Sequence, residues 1–288
     1  MKKNLIFTGV ATALVTPFSD GEIDFSALGN IIDFQISSGV DALVIAGTTG
    51  EASTLSEDER IRLFKFAKER VGGKLPLIFG TGTNDTKTAI KYTHLAERLG
   101  ADGALVVTPY YNKGTESGII NHYKSIANNT DLPIILYNVP ARTGVTLSIS
   151  VIEALCDVDN IVAIKEASDS TDRLTALSVF SDRLTLYSGN DSQIYPTLAL
   201  GGKGVISVLS NADPCEVLKI TRAYFTGRSD ESLAAQKAIL PKIQSIFAET
   251  NPSPIKYVMK KRGFCRDEMR LPLTPPTKET RDRIDRLF

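Results

Sequence analysis

The stretch 160-NIVAIKEAS-168 sets an apolar, β-branched run, Ile161-Val162-Ala163-Ile164, directly against a lysine, Lys165. A continuous run of this kind reads as a strand buried on both faces, the pattern of a parallel sheet rather than a half-solvated antiparallel one. A buried ammonium is costly unless it is paired or neutralised. Lys165 therefore either escapes to the surface at the strand's end or is held there for chemistry.

Outward from this strand the same pattern recurs at 9–15, 42–46, 75–80, 103–108, 133–138, 184–188 and 204–207. Between the runs lie amphipathic stretches with readable ends. Asp24 caps a helix whose Phe25, Leu28, Ile31, Ile32 and Ile36 share a face, with Gly39 at its C-terminal end. Ser56 opens 56-SEDERIRLFKFAKERVGG-73, with acids in the first turn and bases later, as the helix dipole prefers. Asn84 is expected to cap a helix ending near Gly100. Strand-like runs each followed by a helix or loop predict a (β/α)₈ TIM barrel of the α/β class. A doubly wound open sheet is the alternative, and the regularity of the units favours closure. Beyond residue 207 the rhythm changes. Helix starts at Asp213-Pro214, at Ser229 or Asp230, and at 251-NPSPIKYVMKKRG-263 follow one another without a strand between them. This divides the chain into a barrel core, 1–210, and a helical C-terminal extension, 211–288, packed on the barrel or on a neighbouring subunit.

Composition narrows the function classes. The chain has 288 residues, 42% hydrophobic and 23% charged, which suits one barrel with a substantial core. Lys+Arg and Asp+Glu both number 33, so the basic footprint that a nucleic acid or acidic membrane requires is missing. Cys156, Cys215 and Cys265 are widely spaced, as free thiols of a reducing cytosol would be. His94 and His122 show no metal-ligand spacing, so no metal is expected. The opening MKKNLIFTGVATALVTPF has lysines and an apolar stretch like a signal peptide, yet Thr8, Gly9, Thr12 and Thr16 interrupt it. It reads as a first core strand. No other segment approaches the roughly 20 apolar residues of a membrane span, and a cytoplasmic chain is expected.

In such barrels reactive groups gather at the C-terminal ends of the strands and in the loops that follow. There stand 46-AGTTGEAS-53, 108-TPYYNK-113, 136-LYNVPARTG-144, 164-IKEAS-168, 187-YSGND-191 and 204-GVISVLSN-211. Burial penalises the charged form of an amine. The neutral amine can attack a ketone or aldehyde, and the Schiff base then serves as an electron sink for a carbanion or enamine. The other reading pairs Lys165 with a carboxylate; Glu166 is a poor candidate, because adjacent strand residues face opposite sides. In Gly47-Thr48-Thr49-Gly50 the glycines let backbone approach a ligand, and N–H groups with two hydroxyls suit a carboxylate. Such a turn is also ordinary loop geometry. The glycine-rich 80–82 and 201–204 extend to neither a dinucleotide fingerprint nor a P-loop. Tyr137 and Tyr111 are taken to end two different strands. A phenol near the Schiff-base carbon can move a proton, and a chain of Tyr and Thr hydroxyls can relay it to water. A lone tyrosine is otherwise an amphipathic core residue. Arg142 offers a bidentate clamp for a carboxylate, or is a solvated surface arginine.

Taken together, GTTGE at 47–51, TPYYN at 108–112, YNVPARTG at 137–144, IKEAS at 164–168, SGND at 188–191 and GVISV at 204–208 carry a resemblance over essentially the full length. In order and spacing they resemble the dihydrodipicolinate synthase family of pyruvate-dependent, class I aldolase-like enzymes. The resemblance implies that Lys165 forms a Schiff base with pyruvate, with no metal or organic cofactor. It implies Tyr137 as proton donor and acceptor, with Thr48 and Tyr111 completing a relay. Thr49 and the backbone at Ile206 would bind pyruvate, and Arg142 the carboxylate of L-aspartate-4-semialdehyde. The reaction would be the first committed step of diaminopimelate and lysine biosynthesis. In the family the tyrosine matching Tyr111 crosses from a partner subunit, which implies a homo-oligomer, a dimer or a tetramer built as a dimer of dimers. Lysine-inhibited members hold the effector through a histidine just after the GTTGE turn and a glutamate on the next helix. Here those positions carry Glu57 and Thr88, although Asn84 and Tyr110 match, and weak or absent lysine feedback is implied.

Two other functions compete. Sister aldolases acting on N-acetylneuraminate or 2-keto-3-deoxy-sugar acids share the lysine, the tyrosine and a similar turn. Arg142 and the paired Tyr110 and Tyr111 suit a short aldehyde bearing a carboxylate rather than a polyhydroxylated sugar. A non-catalytic barrel that binds a keto acid would have no need of a proton relay.

Overall fold

The structure, a computed structural model, describes residues 5–288. The opening Met1 to Asn4 of the stretch weighed as a leader therefore lie outside the described residues. Eight parallel strands close a barrel: β1 (Gly9–Ala13), β2 (Ala42–Ile45), β3 (Leu77–Gly80), β4 (Gly103–Val107), β5 (Ile134–Asn138), β6 (Ile161–Glu166), β7 (Thr185–Ser188) and β8 (Gly204–Ser207). Each pairs with the next, and β8 returns to β1 with Gly9 opposite Gly204. Nearly every strand position is buried, because side chains of one face fill the barrel and those of the other lie under helices. Ala11, Val44, Ile78, Leu105, Ile135, Tyr137, Ala163, Tyr187 and Ile206 pack together inside. Val10, Leu43, Phe79, Leu136 and Ile164 pack outward into the second, larger core. The open-sheet alternative is thereby set aside.

The outer helices are α1 (Phe25–Ser38), α2 (Glu57–Val71), α3 (Thr86–Arg98), α4 (Glu116–Ala127), α5 (Ile149–Cys156), α6 (Thr171–Ser178), α7 (Ile194–Ala199) and α8 (Pro214–Phe225). Asp24 caps α1, accepting the Ala27 N–H at 2.9 Å, and Gly39 ends it at φ 78°, where a side chain would be strained. Ser56 and Glu59 form a reciprocal capping box at the start of α2. One cap differs from expectation. Asp85, not Asn84, caps α3 by accepting the Thr88 N–H at 2.8 Å, while the Asn84 carbonyl accepts from Asn112. Neighbouring Asx residues compete for a cap, and the one whose oxygen reaches the N–H three residues on takes it. Within the extension, α8 packs on β1 and α1, and α9 (Ser229–Ile246), α10 (Ser253–Lys261) and α11 (Lys278–Asp285) follow. Among the described residues no helix is long and apolar enough to cross a membrane, and no group of three or more His, Cys, Asp or Glu could hold a metal ion.

His122 is one of two histidines and sits buried on α4. Its Nδ1 lies 2.9 Å from Thr86 Oγ1, Nε2 has no partner among the described residues, and burial pushes it down to about 4 from 6.5. A histidine with a lowered folded pKa favours folding above its unfolded value and opposes folding as pH falls below it. Stability is therefore expected to decline from about pH 6.5 towards pH 4 by up to about 1.4 kcal/mol per pH unit from this group. Denaturant melts of His122→Gln should show a shallower decline across that window. An unchanged slope would assign the acid sensitivity to other groups.

Candidate active site

Register brings the first two groups together. Lys165 on β6 stands directly beside Tyr137 on β5, and neighbours in a parallel pair point to the same face. Lys165 Nζ lies 4.2 Å from the centroid of the Tyr137 ring, and the two residues are 5% and 6% exposed. Among the described residues Lys165 makes no ion pair. Its neighbour Glu166 points to the other face, where it accepts from Asn138 at 2.8 and 3.0 Å and from Arg173 at 2.7 Å. The pairing that would have made Lys165 structural is thus taken up elsewhere.

The turn after β2 is held by its own backbone and by distant side chains. Within it the Gly50 and Glu51 N–H groups donate to the carbonyls of Gly47 and Thr48 at 3.1 Å. Ala46 and Glu51, at φ 53° and 55°, adopt the left-handed conformation that costs most non-glycine residues about 1 kcal/mol or more. A backbone so bent needs fixing from outside. Glu51 Oε1 accepts from Lys256 Nζ of α10 at 2.5 Å, and its Oε2 accepts the Arg270 N–H at 3.1 Å. Lys256 and Glu51 are 0% and 2% exposed, so this is a buried pair, completed by the Glu268 carbonyl 2.6 Å from Nζ.

A cavity of about 280 Å³ opens over this turn. Thr48, Tyr110, Tyr137, Arg142 and Asn251 line it. Gly80 is part of its wall, where an added Cβ would meet the Ala46 carbonyl oxygen at 2.1 Å. That close approach, not phosphate binding, accounts for the glycine. Arg142 sits on a helical turn, Pro140–Thr143, just past β5, and donates to the Asn251 carbonyl at 2.8 Å. Thr49 is buried behind Thr48 in sequence and accepts from Asn251 Nδ2 at 3.0 Å. Ile206 lies on β8 inside the barrel. Beyond it Asp191 accepts the Val208 and Leu209 N–H groups at 3.0 Å each. Burial raises the Asp191 carboxyl, while the Ser207 hydroxyl, these N–H groups and the nearby Lys165 charge pull it back.

Thr48, Tyr137 and Arg142 thus line one cavity at the C-terminal mouth of the barrel, with Lys165 against the Tyr137 ring, whereas Thr49 and Ile206 are buried and not part of its lining. Tyr111 does not join them. It was taken to end a strand, but β4 stops at Val107 and Tyr111 lies in the loop beyond, 89% exposed at φ 72°. Tyr110 lines the cavity in its place. Asn251, Lys256 and Asp191 were not singled out from sequence. Asn251 and Lys256 lie in the proline-punctuated NPSPIK stretch, which was read only as a helix start. The positions matched to a lysine effector are engaged locally: Glu57 pairs with Lys91, and Thr88 Oγ1 donates to Asp85 at 2.5 Å.

The site sets a buried amine beside a phenol, and the chain that builds it is similar to known proteins over nearly its whole length. The family model described as the dihydrodipicolinate synthetase family matches residues 6–288. A 4-hydroxy-tetrahydrodipicolinate synthase of Clostridium novyi is 46% identical over 269 residues, covering 93% of this chain and 91% of the relative. Its counterpart from Alkaliphilus oremlandii is 45% identical over 280 residues, with 97% of each covered. The crystal structure of a dihydrodipicolinate synthase from Thermotoga maritima superposes with a TM-score of 0.96 at 41% identity, over 98% of each chain.

Proposed function

The chain belongs to the dihydrodipicolinate synthetase family, and from that premise we propose how its own residues carry the 4-hydroxy-tetrahydrodipicolinate synthase reaction, the condensation of pyruvate with L-aspartate-4-semialdehyde. The observation that carries the assignment is Lys165 itself, an interior lysine in no ion pair among the described residues, set against a tyrosine ring at the barrel's mouth. Its neutral amine adds to the pyruvate ketone and water leaves, giving an iminium. Tyr137 moves the protons of these steps, and loss of a methyl proton turns the iminium into an enamine. The enamine carbon attacks the aldehyde. The second substrate's own amine then closes on the carbon bound to Lys165, which releases the cyclic product and restores the lysine.

Thr49 and the Ile206 backbone hold the keto acid's carboxylate, and Arg142 holds that of the aldehyde, where a guanidinium fork matches two oxygens. Fixing both carboxylates orients the enamine toward the aldehyde, and orientation supplies much of an enzyme's rate. Thr48 passes protons between Tyr137 and Tyr111. An exposed tyrosine on a left-handed loop is well suited to reach the site of a second copy, so the working unit is a homo-oligomer in the cytoplasm. Lysine inhibits weakly or not at all, because Thr88 offers no charge for its ammonium.

Borohydride reduction with pyruvate followed by peptide mass spectrometry should place the adduct on Lys165, and turnover of aspartate-4-semialdehyde should exceed that of N-acetylneuraminate or a deoxy-sugar acid. No adduct would sink the mechanism, and the opposite preference would favour a sister aldolase. Tyr111→Phe should still form the adduct yet turn over about 100-fold more slowly, the lower range for a lost proton-transfer group. Unchanged turnover would remove Tyr111 from the relay.

A further inference from the structure

We propose that Asn251 is a positioning residue for the keto-acid half of this reaction, its amide N–H turning the Thr49 hydroxyl so that the proton faces the substrate carboxylate. This rests on Thr49 as the pyruvate contact. Asn251 is 5% exposed, lines the cavity and stands just ahead of α10, far along the chain from the turn it serves. Its Nδ2 donates to Thr49 Oγ1 at 3.0 Å.

A hydroxyl has one proton and two lone pairs. With Asn251 donating into a lone pair, the Thr49 proton must find another acceptor, and no other hydrogen bond engages Thr49 Oγ1 among the described residues. That proton is free for a carboxylate oxygen. The amide is held this way round even though its Oδ1 is buried and unpartnered among the described residues. Buried acceptors without partners are rare and call for an explanation. Committing the N–H to Thr49 supplies one.

The same residue holds Arg142, but through its main-chain carbonyl at 2.8 Å. Substituting the side chain therefore disturbs the Thr49 arm and leaves the Arg142 arm in place. Lys256, further along on α10, ties the segment to Glu51 of the same turn, so Asn251 works from a fixed base.

The test is a pair of variants assayed with each substrate varied in turn. Asn251→Ala should raise the KM for pyruvate about tenfold, as loss of one hydrogen bond to a charged group does, with the aldehyde KM within about twofold. Asn251→Asp should be worse for pyruvate than Asn251→Ala. Its carboxylate takes the Thr49 proton for itself and sets a like charge beside the keto acid. A role in packing alone gives the reverse order, because Asp fills the space that Ala empties. Asn251→Asp no worse than Asn251→Ala, or the two KM values rising together, would overturn the proposal. Borohydride trapping at saturating pyruvate should label Lys165 in both variants, which also reports that they fold. Absence of the adduct from the unsubstituted protein would instead remove the Schiff-base mechanism, and this proposal with it.

Discussion

Lys165→Met is expected to abolish the borohydride-trapped adduct and to lower turnover on the order of 10⁴-fold or more, the scale seen when a covalent nucleophile is removed. The same substitution should leave the melting temperature unchanged or slightly raised. Both halves follow from burial without a partner. Lys165 is 5% exposed, makes no ion pair among the described residues, and is flanked by apolar and aromatic neighbours of the barrel interior. Removing it breaks no ion pair among the described residues, Asp191 keeps its hydroxyl and N–H donors, and methionine fills nearly the same volume. An interior amine that no ion pair holds is there for reactivity. A trapped adduct that survives the substitution would point to another lysine. Among the described residues Lys256 is the other buried lysine, but Glu51 and the Glu268 carbonyl already occupy its ammonium.

Lys256→Met should do the opposite, destabilising the fold by about 3–5 kcal/mol, the usual consequence of breaking a buried pair from one side. The Glu51 carboxylate would remain at 2% exposure with the Arg270 N–H at 3.1 Å as its remaining partner. For a chain of this size the melting temperature should fall by about 10 °C. Turnover should fall too, since Glu51 closes the turn that carries Thr48 and Thr49. The double variant Glu51→Gln with Lys256→Met should recover most of the stability, because no uncompensated charge is left. A melting temperature within about 2 °C of the parent for Lys256→Met would mean that the carboxylate finds water or a proton at little cost.

The contrast between these lysines marks what was legible in the sequence. Lys165 could be placed because strand periodicity is local. An apolar run, a lysine at its end and a glutamate on the opposite face are all visible in one short window. The strand-end rule then pointed to Tyr137, Thr48 and Arg142, which line one cavity. The (β/α)₈ barrel was legible for the same reason. Tyr111 was expected at a strand end, but β4 stops at Val107 and the loop beyond it carries the tyrosine. Asn84 and Asp85 differ by one position, and only the geometry of the Thr88 N–H decides between them. Lys256 and Asn251 were out of reach for another reason. Their partners lie 205 and 202 positions away, and no periodicity encodes which helix leans over which turn.

Those separations bear on the order in which the protein is made. Synthesis runs from the N-terminus, so the turn with Thr48, Thr49 and Glu51 leaves the ribosome long before Asn251 and Lys256 exist. Through that interval the Glu51 carboxylate must stay in water, since closing it into the interior without its ammonium is too costly. The reactive mouth is completed among the last segments to be translated. Prematurely terminated chains, even those holding all eight strands, would carry Lys165 and Tyr137 with an unfastened turn above them. Such fragments would be poor catalysts, and ready substrates for proteases that recognise loose chain.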